Sequence, residues 1–210
     1  AALAEVFPRC RRLAAVVREL RRLGWPVLSD DVPGILADGH LRYVARYRLS
    51  PDTLAQLRAL YDPARERSVH KEMTQLDVHA TRFIGLSPLL VVSSANAVGA
   101  MDASPRGGAP GFAKVVDAHT LLIPDAPGNN RLDTLENIVA TGQVGLLFLV
   151  PGVDETLRVN GRAVLSTDEA DRALCTDERR EPKLVIRVTV QAAYLHCAKA
   201  LMRSALWDAS

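Results

Sequence analysis

The sequence predicts a mainly β chain of the α+β class, built on an antiparallel barrel. Three observations carry that expectation. From Leu89 onward, five or six short apolar or alternating segments follow one another, only short helices are inserted between them, and no doubly wound strand–helix–strand pattern occurs. At 210 residues and 48% hydrophobic, the chain can form one ordinary core with a small module beside it.

The small module comes first. Leu13, Val16, Val17, Leu20 and Leu23 recur at helical spacing between arginines, and Gly24 stops that helix. Residues 25–28 read as a short strand, and 41–49 alternate as a second. Ser50 is then an N-cap with Pro51 at the first helical position, so the seam between modules (1–49 and 50–210) falls at Leu49/Ser50.

A longer helix is expected to carry Val69, Met73, Leu76, Ala80 and Phe83, stopping near Gly85. Residues 89–95 form the first barrel strand, and 97–99 a turn. Residues 112–116 and 120–123 are strands across the turn at 117–119. Residues 132–140 form a helix ended by Gly142, and 144–150 with 155–165 make a hairpin across Pro151 and Gly152. Ser166 and Glu169 form a capping box opening another helix. A strand at 184–190 and a helix at 197–206 complete the chain.

Net charge is only +2, which gives no global argument for nucleic acid or membrane. The charge is uneven, however: residues 1–49 hold nine arginines against five acidic residues, which hints at two modules, one of which meets an anion. Cys10, Cys175 and Cys197 are widely spaced, without the pairing of a disulfide scaffold or a structural zinc site. No metal is expected. The apolar run at 144–150 is too short to cross a bilayer, and no signal segment opens the sequence, so a soluble cytoplasmic protein is expected.

Three segments are more polar than folding requires. Residues 101–112 (MDASPRGGAPGF) hold three glycines and two prolines, a loop that lets backbone approach a ligand or simply connects two strands. Residues 124–131 (PDAPGNNR) precede a helix, where amides, two Asn side chains and Arg131 suit a phosphate; alternatively, Asn130 caps the helix and Arg131 is solvated. In YLHCAKALMRSALW, His196, Lys199 and Arg203 would share one helix face, a basic surface for an electron-rich ring or acidic substrate, or a solvated flank. No Ser-His-Asp grouping, HExxH or carboxylate pair stands out, so hydrolase chemistry has no support.

In this order, PLLVVSS, MDASPRGGAPGF, LLIPDAPGNNRLDTLENI, VGLLFLVPGVDETLRVNGRA and YLHCAKALMRSALW resemble the pyridoxamine-5′-phosphate-oxidase-like FMN-binding proteins. The resemblance implies an antiparallel split β-barrel that pairs as a homodimer, with FMN in the groove between copies. It places Asn129, Asn130 and Arg131 at the phosphate, and Phe112, Ala113, Lys114, Ile123 and Pro124 along the ring and ribityl chain. Thr156 and Arg158 reach the flavin from across the dimer, and Ser104 and Arg106 lie near it. The family's substrate signature, a Trp followed by a paired Arg site, is absent here, so vitamin B6 synthesis is not expected. An acidic residue is more usual where Gly108 stands.

Residues 1–49 are similar to the recognition helix and wing of a small phage-type winged-helix domain, though too few helices precede the wing. A docked extension is the alternative, and nucleic acid is not the expected partner. The function implied is a flavin-dependent oxidoreductase acting on a small molecule; the alternative is a flavin-binding sensor or regulator that uses the N-terminal piece.

Overall fold

A computed structural model describes residues 27–35, 41–49, 71–128, 130–177 and 180–208, together with positions 18, 21, 22, 55, 57–63 and 66; side chains of 31–35 and 41–49 are not described. The chain forms two compact units, Ala1–Arg65 and Glu66–Ser210, so the division lies beyond the cap at Ser50 that marked the expected seam.

In the first unit, β1 (Val27–Ile35) and β2 (Leu41–Leu49) pair antiparallel from Val27↔Leu49 to Ile35↔Leu41. The first strand is longer than expected. Arg18, Arg21 and Arg22 are helical; the rest of the helix expected at 13–23, and the Ser50 cap, lie outside the described residues. Arg21 donates through Nε and Nη2 to the Val27 carbonyl, at 3.2 and 3.0 Å. That arginine therefore ties helix to hairpin.

The second unit is the antiparallel split barrel. It contains α1 (Val78–Leu86), β3 (Leu89–Ala95), β4 (Met101–Gly107), β5 (Lys114–Asp117), β6 (Thr120–Pro124), α2 (Asp133–Thr141), β7 (Gln143–Leu149), β8 (Thr156–Ser166), α3 (Glu169–Leu174), β9 (Val185–His196) and α4 (Lys199–Ser204). Seven strands run in the order β4-β3-β7-β8-β9-β6-β5, every pairing antiparallel. Alternate residues turn inward: Leu90 and Val92 on β3, Leu146 and Phe148 on β7, Leu157 and Val159 on β8, all buried. Ala80 and Ile84 of α1 and Leu135 and Ile138 of α2 pack into the same core.

Between β8 and β9 the register shifts at Asn160/Gly161 and leaves Gln191 unpaired, a bulge that bends the sheet. Gly161 is required there. A Cβ at that position would lie 2.2 Å from the Thr189 carbonyl oxygen.

Four expectations need correction. The capping box expected at Ser166 and Glu169 is replaced by Asp168, which caps α3 by accepting from the Ala170 and Asp171 N–H groups at 2.9 and 3.2 Å. The helix set at 69–83 begins only at Val78, because Asp77 caps it by accepting from the Ala80 N–H at 2.7 Å. The preceding residues are a strap: Met73 pairs with Ala193, and the Leu76 N–H donates to the Ala118 carbonyl at 2.7 Å. The loop expected at 101–112 is a full edge strand through Gly107, paired with β3 from Met101↔Ala95 to Gly107↔Leu89. Lastly, β9 runs through His196, so His196 lies on a strand and does not share a helix face with Lys199 and Arg203.

Candidate functional site

The edge strand, the β6–α2 connection and the α3–β9 connection bound one groove of about 570 Å³. On β4, alternation turns Ser104 and Arg106 to the half-buried side, and Arg106 Nη1 donates to Ser104 Oγ and to the Pro105 carbonyl, the latter at 3.1 Å. Polar bonds tie α2 to this edge. Thr134 Oγ1 donates to Asp102 Oδ2 at 2.7 Å, and the buried Asn137 Nδ2 donates to Ser94 Oγ at 2.9 Å. They bring Arg131, just ahead of α2, into the groove that Arg106 lines.

The turn into α2 is strained. Asn130 and Leu132 both have positive φ, 58° and 46°. Asn tolerates that region; for Leu it costs about 1–2 kcal/mol. Asn130 is not the cap. Leu132 holds that position without a side-chain bond, and the first turn carries Asp133 and Glu136. Acidic residues there offset the helix dipole, so anion attraction comes from side chains instead. Arg106, Arg131, Arg180 and Lys183 line the groove, opposed by Asp102, Asp125 and Asp133. Arg131 Nε lies 2.8 Å from Asp133 Oδ2, an exposed pair of small worth.

A smaller hollow adjoins the groove and shares Arg106 and Arg180 with it; Phe112, Pro124 and Cys175 form its walls. Burial pushes the Cys175 thiol up to about 11, with the nearby Lys114 charge pulling the other way. A Cβ on Gly108 would sit 2.7 Å from Phe112 Cβ, so glycine here lets Phe112 fold back against the loop. An acidic side chain at this position would displace that ring.

A second polar cluster gathers where β8 and β9 begin and end. Thr156 pairs with His196 and Arg158 with Tyr194 across the ladder. Arg158 Nη1 donates to Tyr194 Oη at 2.9 Å, and Lys71 and Arg158 lie 5.1 and 5.5 Å from the Tyr194 ring centroid. The His196 ring is 4.9 Å from that of Tyr194. Burial, then the Arg158 and Lys71 charges, hold the imidazole below its ordinary pKa, so it is neutral at neutral pH. None of these residues lines the groove.

A family model described as pyridoxamine 5′-phosphate oxidase matches residues 76–197. The chain belongs to this family. Solved structures similar to it include HupZ of Group A Streptococcus (18% identity, 57% of this chain and 93% of that chain, TM-score 0.48). Others are General Stress Protein 26 of Bacillus anthracis (13%, 56% and 94%, 0.41) and an FAD-binding protein of Mesorhizobium loti (14%, 60% and 99%, 0.40). No curated protein sequence matches the chain.

Within this family member, the residues singled out in the sequence divide into groups. Ser104, Arg106, Asn130 and Arg131 meet in the groove, and Phe112 and Pro124 in the hollow; Asn129 lies outside the described residues. Ala113 and Ile123 point into the core, so only their backbone is open to a ligand. Lys114 Nζ donates to the Gly111 carbonyl at 2.8 Å, bracing the loop. Thr156, Arg158 and His196 belong to the second cluster, while Lys199 and Arg203 are exposed on α4. Arg180 and Lys183 were missed. They follow α3 in a charge-rich stretch without a motif, and only the packing of its end beside Asp125 brings them to the groove.

Among the described residues, no helix is long and apolar enough to cross a membrane, and no group of three His, Cys, Asp or Glu side chains gathers as a metal site.

Proposed function

We propose that the protein is a flavin-dependent oxidoreductase whose groove holds the phosphate end of FMN and whose substrate is a small molecule. The observation that carries this reading is the convergence of Arg106 and Arg131 on one groove, beside a hollow walled by Phe112 and Pro124. A volume of about 570 Å³ falls within the range of about 300–1,000 Å³ usual for sites of small organic ligands. The residues present fit the group.

Arg131 and Arg106 bind and orient the phosphate through charge-assisted bonds, with Ser104 and Asn130 completing the polar wall. Phe112 covers apolar surface and excludes water. Thr156 and Arg158 line no part of their own protomer's groove; in this reading they close the groove of a second copy, in a homodimer with two equivalent sites. The bound isoalloxazine supplies the electron-transfer chemistry, and the protein sets its position and local charge. Arg158 then stabilises developing negative charge on the ring.

The test is direct. The purified full chain should bind FMN, bleach on reaction with a nicotinamide-type donor and sediment as a dimer. A chain that binds no flavin, or a flavin-loaded monomer at micromolar concentration, contradicts the reading.

A further inference from the structure

Arg180 and Lys183 line the groove beside Arg106 and Arg131, yet they come from a connection that carries no phosphate motif. Its described residues are tied by hydrogen bonds. The Asp177 N–H donates to the Arg180 carbonyl at 3.2 Å, and the Arg180 N–H donates to Asp177 Oδ1 at 3.0 Å. Arg172 Nε donates to the Pro182 carbonyl at 3.1 Å, and the Asp125 N–H to the Leu184 carbonyl at 3.1 Å.

The Arg180 guanidinium is seated by Nη2 on the Asp125 carbonyl at 3.1 Å, a bond that takes one of its five donors. Glu181, the acid between the two cations, turns away to Arg172 Nη2 at 2.7 Å. On the opposite wall the acids are engaged: Asp102 accepts from Thr134, and Asp133 pairs with Arg131. The carboxylate of Asp125 is the remaining acid in the lining. Two pairs of cations thus sit on separate elements around a space much larger than one phosphate ion.

We propose that Arg180 and Lys183 form a second anion subsite, so that the groove takes two anionic groups at once. The reading of the first subsite as a flavin phosphate site is the frame on which this rests; the second subsite stands on the placement of Arg180 and Lys183 in the lining of the same groove. The second group is either the further phosphate of a dinucleotide flavin or an anionic substrate that enters beside a mononucleotide.

The test uses the full chain and the variant R180A/K183A, with R180K/K183R as the charge-preserving control. Flavin-free wild type should hold pyrophosphate at least about tenfold more tightly than orthophosphate, the scale of one charge-assisted hydrogen bond. The alanine variant should lose that preference, and the control should keep it. FAD favoured over FMN in wild type, and not in R180A/K183A, identifies the dinucleotide source. Pyrophosphate binding to the FMN-loaded chain, lost in the same variant, identifies a separate anion. If R180A/K183A binds pyrophosphate and every flavin as wild type does, the second subsite is overturned. Pyrophosphate binding sensitive to Arg180 and Lys183 in a chain that takes no flavin sustains the subsite and sinks the flavin reading alone.

Discussion

Arg158 and Tyr194 face each other across β8 and β9, and the guanidinium donates to the phenol oxygen at 2.9 Å while flanking the ring. The bond holds a mobile cation at a fixed height above the sheet. If this cluster closes the partner's site, Arg158→Met should lower the two-electron flavin potential by about 30 mV or more, equivalent to roughly 1.4 kcal/mol. Tyr194→Phe should move it less, because the charge remains. Potentiometry that finds both variants at the wild-type potential returns the cluster to a purely structural role.

Arg131 lines the groove, and its pair with Asp133 is exposed. Arg131→Ala should weaken FMN by about 1.5–3 kcal/mol, as loss of a charge-assisted hydrogen bond does. Riboflavin, which has no phosphate, should bind the variant and wild type alike. Fluorescence titration showing equal FMN affinity in both proteins removes Arg131 from the site.

His196 gives a pH signature with a definite sign. Burial and the charges of Arg158 and Lys71 depress its folded pKa below the ordinary 6.5. The unfolded chain therefore takes up this proton first as pH falls, so stability is full above about 6.5 and declines below it, levelling off under the folded pKa. Thermal melts between pH 7.5 and 5 should show a smaller decline for His196→Gln than for wild type. Superimposable profiles would mean that the imidazole titrates normally.

Among the described glycines, Gly161 is the one where an added Cβ would meet backbone most closely, at the Thr189 carbonyl. Gly161→Ala should cost about 1–3 kcal/mol, the usual penalty for overpacking, and urea titration reads it directly. A neutral result would show that the bulge can open.

The two described cysteines should differ in reactivity. Cys197 is exposed, and Cys175 is buried with its thiol pushed up to about 11. Alkylation at pH 8 should label Cys197 well before Cys175, because the thiolate is the reactive form. Peptide mapping with equal labelling at both would place Cys175 in open solvent.

Much of the barrel was legible because its signals are local. The inward alternation of Leu90 and Val92, or of Leu146 and Phe148, is a property of successive residues, and so is the glycine stop at Gly142. β4 was illegible for the opposite reason. MDASPRG alternates Met101, Ala103 and Pro105 with Asp102, Ser104 and Arg106, but it holds no β-branched or aromatic residue and turns its polar residues inward, so its strand form comes from pairing with β3. His196 was grouped with Lys199 and Arg203 because their spacing of i, i+3 and i+7 falls on one helix face, whereas pairing with Thr156 draws His196 into β9. In the candidate site, Ser104, Arg106, Asn130 and Arg131 were readable from motifs and do share a groove. Arg180 and Lys183 were not, since what matters about them is the hydrogen bonding of Asp125 to a chain segment far along the sequence.

The edge at β4 has a further consequence for the molecule in a crowded solution. An unpaired strand edge is a template on which other chains polymerise. At Pro105 this edge presents no N–H, and its carbonyl already accepts from Arg106 Nη1. An arriving strand meets a broken ladder and a positive charge at the same point. The arginine that lines the groove thus also guards the barrel against runaway self-association, and Arg106→Ala should aggregate sooner than wild type even where no ligand is present.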